Sequence, residues 1–154
     1  MFIYLVQHAE AKSEKEDPSR SLSEKGMNDI KKVASYVSKC NLNIHTIFHS
    51  TKLRAKQTAE VLSEHLKPSV GISEVDGLAP LDDPDIWAQR LKDIPDDVIL
   101  VGHLPHLDKL ASLLLSGDKD KNVISLKMAG IVCIQRTDAS SYTLQWMVIP
   151  EIVF

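Results

Sequence analysis

Three apolar runs in this 154-residue chain end in a histidine. "FIYLVQ" delivers His8, "IHTIFHS" delivers His49 and Ser50 with Arg54 one turn further on, and "DVILVGH" delivers Gly102 and His103. A neutral imidazole can attack an electrophile or carry a proton near neutral pH. A guanidinium grips phosphoryl or carboxylate oxygens through two parallel charged bonds. Two imidazoles, a guanidinium and a hydroxyl at strand ends could make up one polar ligand site. Histidines also pack structurally, so the combination carries the weight rather than any one of them.

The elements that must position these residues follow from the hydrophobic pattern. "FIYLVQ" and "DVILV" are near-continuous apolar runs of strand length, as expected for strands covered on both faces. "LSEKGMNDIKKVASYVSKC" places Ile30, Val33, Ala34 and Val37 at helical spacing behind Ser23, a plausible cap. "TKLRAKQTAEVLSEHL" reads as a second amphipathic helix through Leu53, Ala55, Thr58, Val61 and Leu62. "VGISEVDGLAPLDDP" holds a short strand and a turn-rich loop. "DPDIWAQRLKDI" is a third helix starting near Asp83 or Asp85, and "LPHLDKLASLLLSG" a fourth closing at Gly117. "GIVCIQRT" and "YTLQWMVI" predict a hairpin over "DASS". Residues 11–21, broken by proline and carrying six charged side chains, read as a solvated loop beside the first histidine.

Alternation of strand and helix predicts a single α/β domain over residues 1–154, a three-layer α/β/α sandwich with a mostly parallel central sheet and an antiparallel edge. In such sheets ligands sit beyond the carboxyl ends of the strands, where His8, Ser50 and His103 fall.

"VQHAEA", "HSTKLRAKQTAE" and "VGHLPHL" together resemble the histidine phosphatase superfamily, with its phosphoglycerate mutase-like fold. Within it the chain is similar to the small SixA-type phosphohistidine phosphatases, down to the Trp-x-x-x-Pro ending in "LQWMVIPEI". The motif Ser-x-x-x-Arg-Ala-x-Gln-Thr matches at Ser50, Arg54, Ala55, Gln57 and Thr58, and Gly-His at Gly102 and His103. The resemblance implies a phosphatase with His8 as the nucleophile that becomes phosphorylated. Arg54 is then the grip on the phosphoryl oxygens, and His103 a donor to them as charge builds. Gln7, His8, Ser50, Arg54 and His103 make up the implied phosphate-binding set, with no metal and no cofactor required.

Two positions depart from the family's Arg-His-Gly motif: Gln7 replaces the arginine and Ala9 the glycine. Ala9 is mild if its φ is negative. Gln7 keeps a donor but no charge, and charge-assisted bonds are about twice as strong. Arg20 and Lys52 are nearby cations that could substitute. The matching general-acid region offers Glu74, Asp76 and Asp82 without an assignment. A protonated imidazole leaves without strong acid help, and no inserted cap closes the pocket, so phosphohistidine on a signalling or phosphotransfer protein is the favoured substrate. A weakened phosphate- or phosphoprotein-binding module and a small-molecule phosphomonoesterase are the alternatives.

His106, three residues after His103, could point into the same pocket; a metal held by these two lacks evident further ligands. His49 is expected to orient the Ser50 turn, Glu10 to hold the loop, His45 and His65 to lie at the surface. Trp87 with Leu91 reads as core, and Trp146 as sheet packing. A net charge of −3 argues against a nucleic-acid surface. No apolar run approaches the roughly 20 residues of a membrane span, and the N-terminus lacks a signal-peptide pattern. Cys40 and Cys133 are expected to be reduced, semi-buried thiols. A cytoplasmic monomer is the expectation.

Overall fold

A computed structural model describes residues 1–138 and 140–154. Six strands and four helices alternate as β1 (Phe2–Gln7), α1 (Glu24–Ser38), β2 (Thr46–His49), α2 (Leu53–Leu66), β3 (Gly71–Glu74), α3 (Pro84–Lys92), β4 (Val98–Gly102), α4 (His106–Ser116), β5 (Ile131–Arg136) and β6 (Tyr142–Val148). They form one mixed sheet in the order β3-β2-β4-β1-β5-β6. The first four of these are parallel, while β5 runs antiparallel to β1 and β6 antiparallel to β5. Ala139, in the turn expected between β5 and β6, lies outside the described residues.

The burial pattern explains the layering. β4 is buried at all five positions, as a strand covered on both faces must be. Alternate residues of β1 point to opposite faces. Tyr4 and Val6 join Ile30, Val33, Ala34 and Val37 of α1 in one core, and Ile3 and Leu5 join Trp87 and Leu91 of α3 in the other. α1 and α2 thus cover one face, α3 and α4 the other, which is the three-layer arrangement the alternation predicts.

Helix ends follow local chemistry. Ser23 caps α1 by accepting from Gly26 N–H at 3.0 Å, and Asp83 caps α3 by accepting from Asp85 N–H at 2.9 Å. Gly117 closes α4 with φ of 80°, a conformation that costs glycine little. Gly26 is dictated by space: a Cβ there would run into the backbone of Glu10, so α1 can approach the segment after His8 only because this position lacks a side chain.

Some expectations are corrected. Leu53 is 37% exposed rather than core, because it opens α2 before the helix has turned onto the sheet. Cys40 is exposed and Cys133 buried, so neither is semi-buried. Residues 11–21 are solvated as expected, with Ser13–Glu16, Pro18 and Ser19 exposed, but the loop is fastened at both ends. Ala11 bridges Leu22, Lys12 N–H donates to Ser21 O at 2.8 Å, and Leu22 N–H donates to Gln57 Oε1 of α2 at 2.8 Å. A charged, proline-broken stretch reads as solvated because its restraints come from backbone groups and from a residue 35 positions away.

Candidate active site

The sheet order places β2, β4 and β1 side by side, so the residues that follow them emerge together. Gln7 pairs with Gly102 and His49 with Val101. The backbone continues that register one step further: His8 N–H donates to Gly102 O at 3.0 Å and Ser50 N–H to Val101 O at 3.1 Å. His8 and His103 therefore stand as neighbours, their ring centroids 4.9 Å apart. Space at Gly102 is tight: a Cβ there would lie 3.2 Å from Leu78 O.

Each functional side chain is oriented by a short local contact. The Ala9 carbonyl can only accept, so His8 Nδ1–H donates to it at 2.7 Å, and the other nitrogen, Nε2, carries the lone pair. Ala9 N–H in turn donates to Thr58 Oγ1 at 3.0 Å, and Thr58 Oγ1–H to Arg54 O at 2.8 Å. Ala9 has no positive φ, so replacing glycine there costs no backbone strain. Ser50 Oγ and His103 Nε2 are hydrogen-bonded at 2.6 Å, and His49 Nδ1–H donates to Ser50 O at 2.8 Å, orienting that turn as expected. Glu10 holds the loop by accepting from Ser23 through both its carbonyl and its carboxylate.

Arg54 sits in the first turn of α2 with no acidic partner among the described residues, and its buried Nε has no hydrogen-bond partner. A structural surface arginine would be paired. Burial lowers its pKa, and the charge of Arg20 lowers it further. Arg20, at φ of 51°, is anchored by its Nε–H to Lys12 O at 3.1 Å. Its charge bears on both His8 and Arg54, and that of Lys52 on His103. The pinned loop thus brings in a cation where Gln7, which makes no side-chain hydrogen bond among the described residues, brings none.

Burial dominates the histidine pKa values. It lowers His8 from 6.5 to about 4, against the Ala9 hydrogen bond and with help from Arg54 and Arg20. It lowers His103 to about 3, with His8, Arg54, Lys52 and His106 adding to the effect. Both rings are therefore neutral at physiological pH, the state a nitrogen nucleophile needs. Ring-proton NMR should follow His8 to a midpoint near pH 4; a midpoint near the ordinary 6.5 would overturn this electrostatic picture. Because the unfolded ring binds its proton at about 6.5 and the folded one only near 4, unfolding takes up protons between these values. Stability should accordingly fall as pH drops through that window.

Other expected residues lie apart or play other parts. Asp76 pairs with Arg90 at 2.9 Å, and Asp82 accepts from Ala79 N–H at 2.9 Å. Asp82 and Asp83 bear on His106, not on His8 or His103. Glu74 is exposed at the end of the edge strand β3. His106 is 1% exposed, and neither of its ring nitrogens has a partner. Among the described residues, no three His, Cys, Asp or Glu side chains converge as a metal-ligand set. Sequence reasoning missed the fastening roles of Gln57 and Thr58, although their place in the long motif was the available signal.

The profile of the histidine phosphatase superfamily (branch 1) matches residues 3–82, and a protein of Picosynechococcus sp. is 34% identical over 140 residues, 86% of this chain and 83% of that one. The chain belongs to the histidine phosphatase superfamily. The structure of the protein histidine phosphatase SixA in complex with tungstate superposes with a TM-score of 0.87 at 21% identity, covering 97% of each chain. A phosphoserine phosphatase of Entamoeba histolytica, in complex with 3-phosphoglyceric acid, gives 0.70 at 17% identity over 95% of each. These likenesses establish the phosphoglycerate mutase-like fold. In this histidine phosphatase superfamily member the two strand-end histidines are neighbours and the motif serine is hydrogen-bonded to His103. No helix among the described residues is long and apolar enough to cross a membrane.

Proposed function

We propose that this protein is a phosphatase that removes phosphoryl groups from phosphohistidine on a partner protein, through a phosphorylated His8. The observation that carries the reading is the free lone pair of His8 Nε2, fixed by the Ala9 carbonyl, with Arg54 nearby and its Nε unpaired. Neutral His8 Nε2 attacks phosphorus as the bond to the substrate imidazole breaks. That imidazole departs neutral, keeping the proton on its other nitrogen. Phosphorylated His8 is then cationic, and its Nδ1–H donates to Ala9 O more strongly than before. Water attacks phosphorus, His8 leaves as the neutral ring with its Nδ1 proton, and the water's protons stay with the released phosphate. Arg54, Arg20 and Lys52 balance the phosphoryl charge throughout, and His103 Nε2 exchanges Ser50 Oγ for a phosphoryl oxygen.

Both displacements expel an imidazole, so neither needs the general acid that an alkoxide demands. This favours phosphohistidine over phosphate esters, since no carboxylate among the described residues is hydrogen-bonded to His8 or His103. A cytoplasmic setting, where both free cysteines stay reduced, belongs to the same reading.

Substrate preference tests it. The kcat/KM for a phosphohistidine peptide should exceed that for a phosphoserine peptide or a sugar phosphate by about 10² or more, the scale of one missing acid. Arg20→Ala should lower it ~10- to 10²-fold, whereas Gln7→Arg should change it less than tenfold because Arg20 already supplies the charge. Turnover that appears only in Gln7→Arg would make the native chain a binding module. Equal turnover of esters would make it a general phosphomonoesterase.

A further inference from the structure

Arg20 reaches the site from a loop, and that loop holds it in an unusual way. Its backbone lies in the left-handed region, at φ of 51°. Residues other than glycine are uncommon there, and such outliers persist where the surroundings over-determine them, often at functional sites. The preceding chain is acidic, with Glu14, Glu16 and Asp17, yet Arg20 forms no ion pair among the described residues.

Asp17, just before it in the chain, orders Arg20 without neutralising it. Asp17 Oδ1 accepts from Ser19 N–H at 3.0 Å, and Oδ2 from Ser21 N–H at 3.1 Å and from the Ser21 hydroxyl. Its main-chain carbonyl accepts from Arg20 N–H at 2.9 Å, and its own N–H donates to Ser13 O at 3.0 Å. Donors on both sides of Arg20 are thus drawn to one residue, which fixes the turn between them. The carboxylate is engaged by main-chain and hydroxyl donors, so the guanidinium keeps its charge. Arg20 Nε–H is held by Lys12 O at 3.1 Å, and the side chain makes no other hydrogen bond among the described residues.

We propose that Asp17 is the positioning residue for Arg20: it locks the left-handed turn that presents an unpaired guanidinium to the phosphoryl group held by His8 and Arg54. This inference rests on the phosphatase reading above, in which Arg20 supplies the charge that Gln7 lacks, and adds the residue that keeps that charge in place. Asp17 itself touches no substrate.

The test is a double-mutant cycle on a phosphohistidine peptide, with a second readout at His8. Asp17→Ala should lower kcat/KM about tenfold, close to the loss in Arg20→Ala, and the double variant should lose no more than Arg20→Ala alone. Burial, with the charges of Arg54 and Arg20, holds the His8 midpoint near pH 4. That midpoint, read by ring-proton NMR, should therefore rise in Asp17→Ala as in Arg20→Ala. Glu16→Ala, which releases only Ser13 in the same loop, should change neither quantity. Adding Gln7→Arg to Asp17→Ala should recover most of the lost activity, because it restores the charge by another route. Losses that add in the double variant, an unmoved midpoint, or the same effects from Glu16→Ala each overturn the assignment. Full activity in Arg20→Ala overturns it too, since Arg20 then has no charge to bring. Should wild type hydrolyse no phosphohistidine, the phosphatase reading fails on its own and the midpoint still decides: a rise in Asp17→Ala upholds Asp17 as the holder of Arg20, and no rise overturns it.

Discussion

His8→Ala should abolish hydrolysis of phosphohistidine, by about 10⁴-fold or more, and should leave no acid-labile phosphoryl label on the quenched enzyme. The size follows from what is lost. Without His8 Nε2 there is no covalent intermediate, and water must displace the substrate imidazole directly. Arg54, Arg20, Lys52 and His103 remain and still gather phosphoryl charge, so phosphate binding should survive the substitution. His8 is 9% exposed and makes its one side-chain hydrogen bond to the adjacent carbonyl, so the fold should tolerate alanine. Single-turnover rapid quench with labelled substrate reads both quantities. Full activity in His8→Ala, or label retained by it, would remove His8 from the role of nucleophile.

Arg54→Ala should cost about 10²- to 10³-fold in kcat/KM, the usual loss when a preorganised charged donor is removed from a developing transition state. Arg54→Lys should recover only part of that, because an ammonium keeps the charge but not the fork that binds two oxygens at once. Stability should move the other way. Arg54 has no acidic partner among the described residues, its Nε is buried without a hydrogen bond, and Arg20 repels it. Removing it relieves that repulsion, so the melting temperature of Arg54→Ala should be unchanged or higher. Loss of activity with a lowered melting temperature would instead mark Arg54 as structural. A residue that the fold tolerates at a cost and the chemistry needs is a common compromise at functional sites.

Much of this was legible in the sequence because strand and helix periods differ so plainly. The buried run of β4 and the spacing of Ile30, Val33, Ala34 and Val37 on α1 each admit one reading. Strand-end histidines were legible for the same reason: an apolar run that stops at His8 or His103 marks the edge of a sheet. Other features depend on long-range contacts that no local pattern encodes. Arg20 stands in a stretch whose composition says solvent, and the Leu22–Gln57 bond and the Ala11–Leu22 bridge help to hold that stretch beside His8. The exposure of Leu53 and Leu81 escaped notice because helical periodicity cannot tell a first-turn residue from a core one, and a loop has no period at all.

The tautomer of His8 is set within a single peptide step. Its partner is the carbonyl of Ala9, whose N–H is held by Thr58, and the Ala9 side chain is itself fully buried. Position 9 is therefore read twice through its backbone and only by volume through its side chain. Across generations this site can drift between glycine and alanine without altering the nucleophile, whereas a larger residue would be rejected for want of room. At position 9 the first motif is thus a stretch of main chain, and alanine there in place of glycine leaves the His8 tautomer as it was.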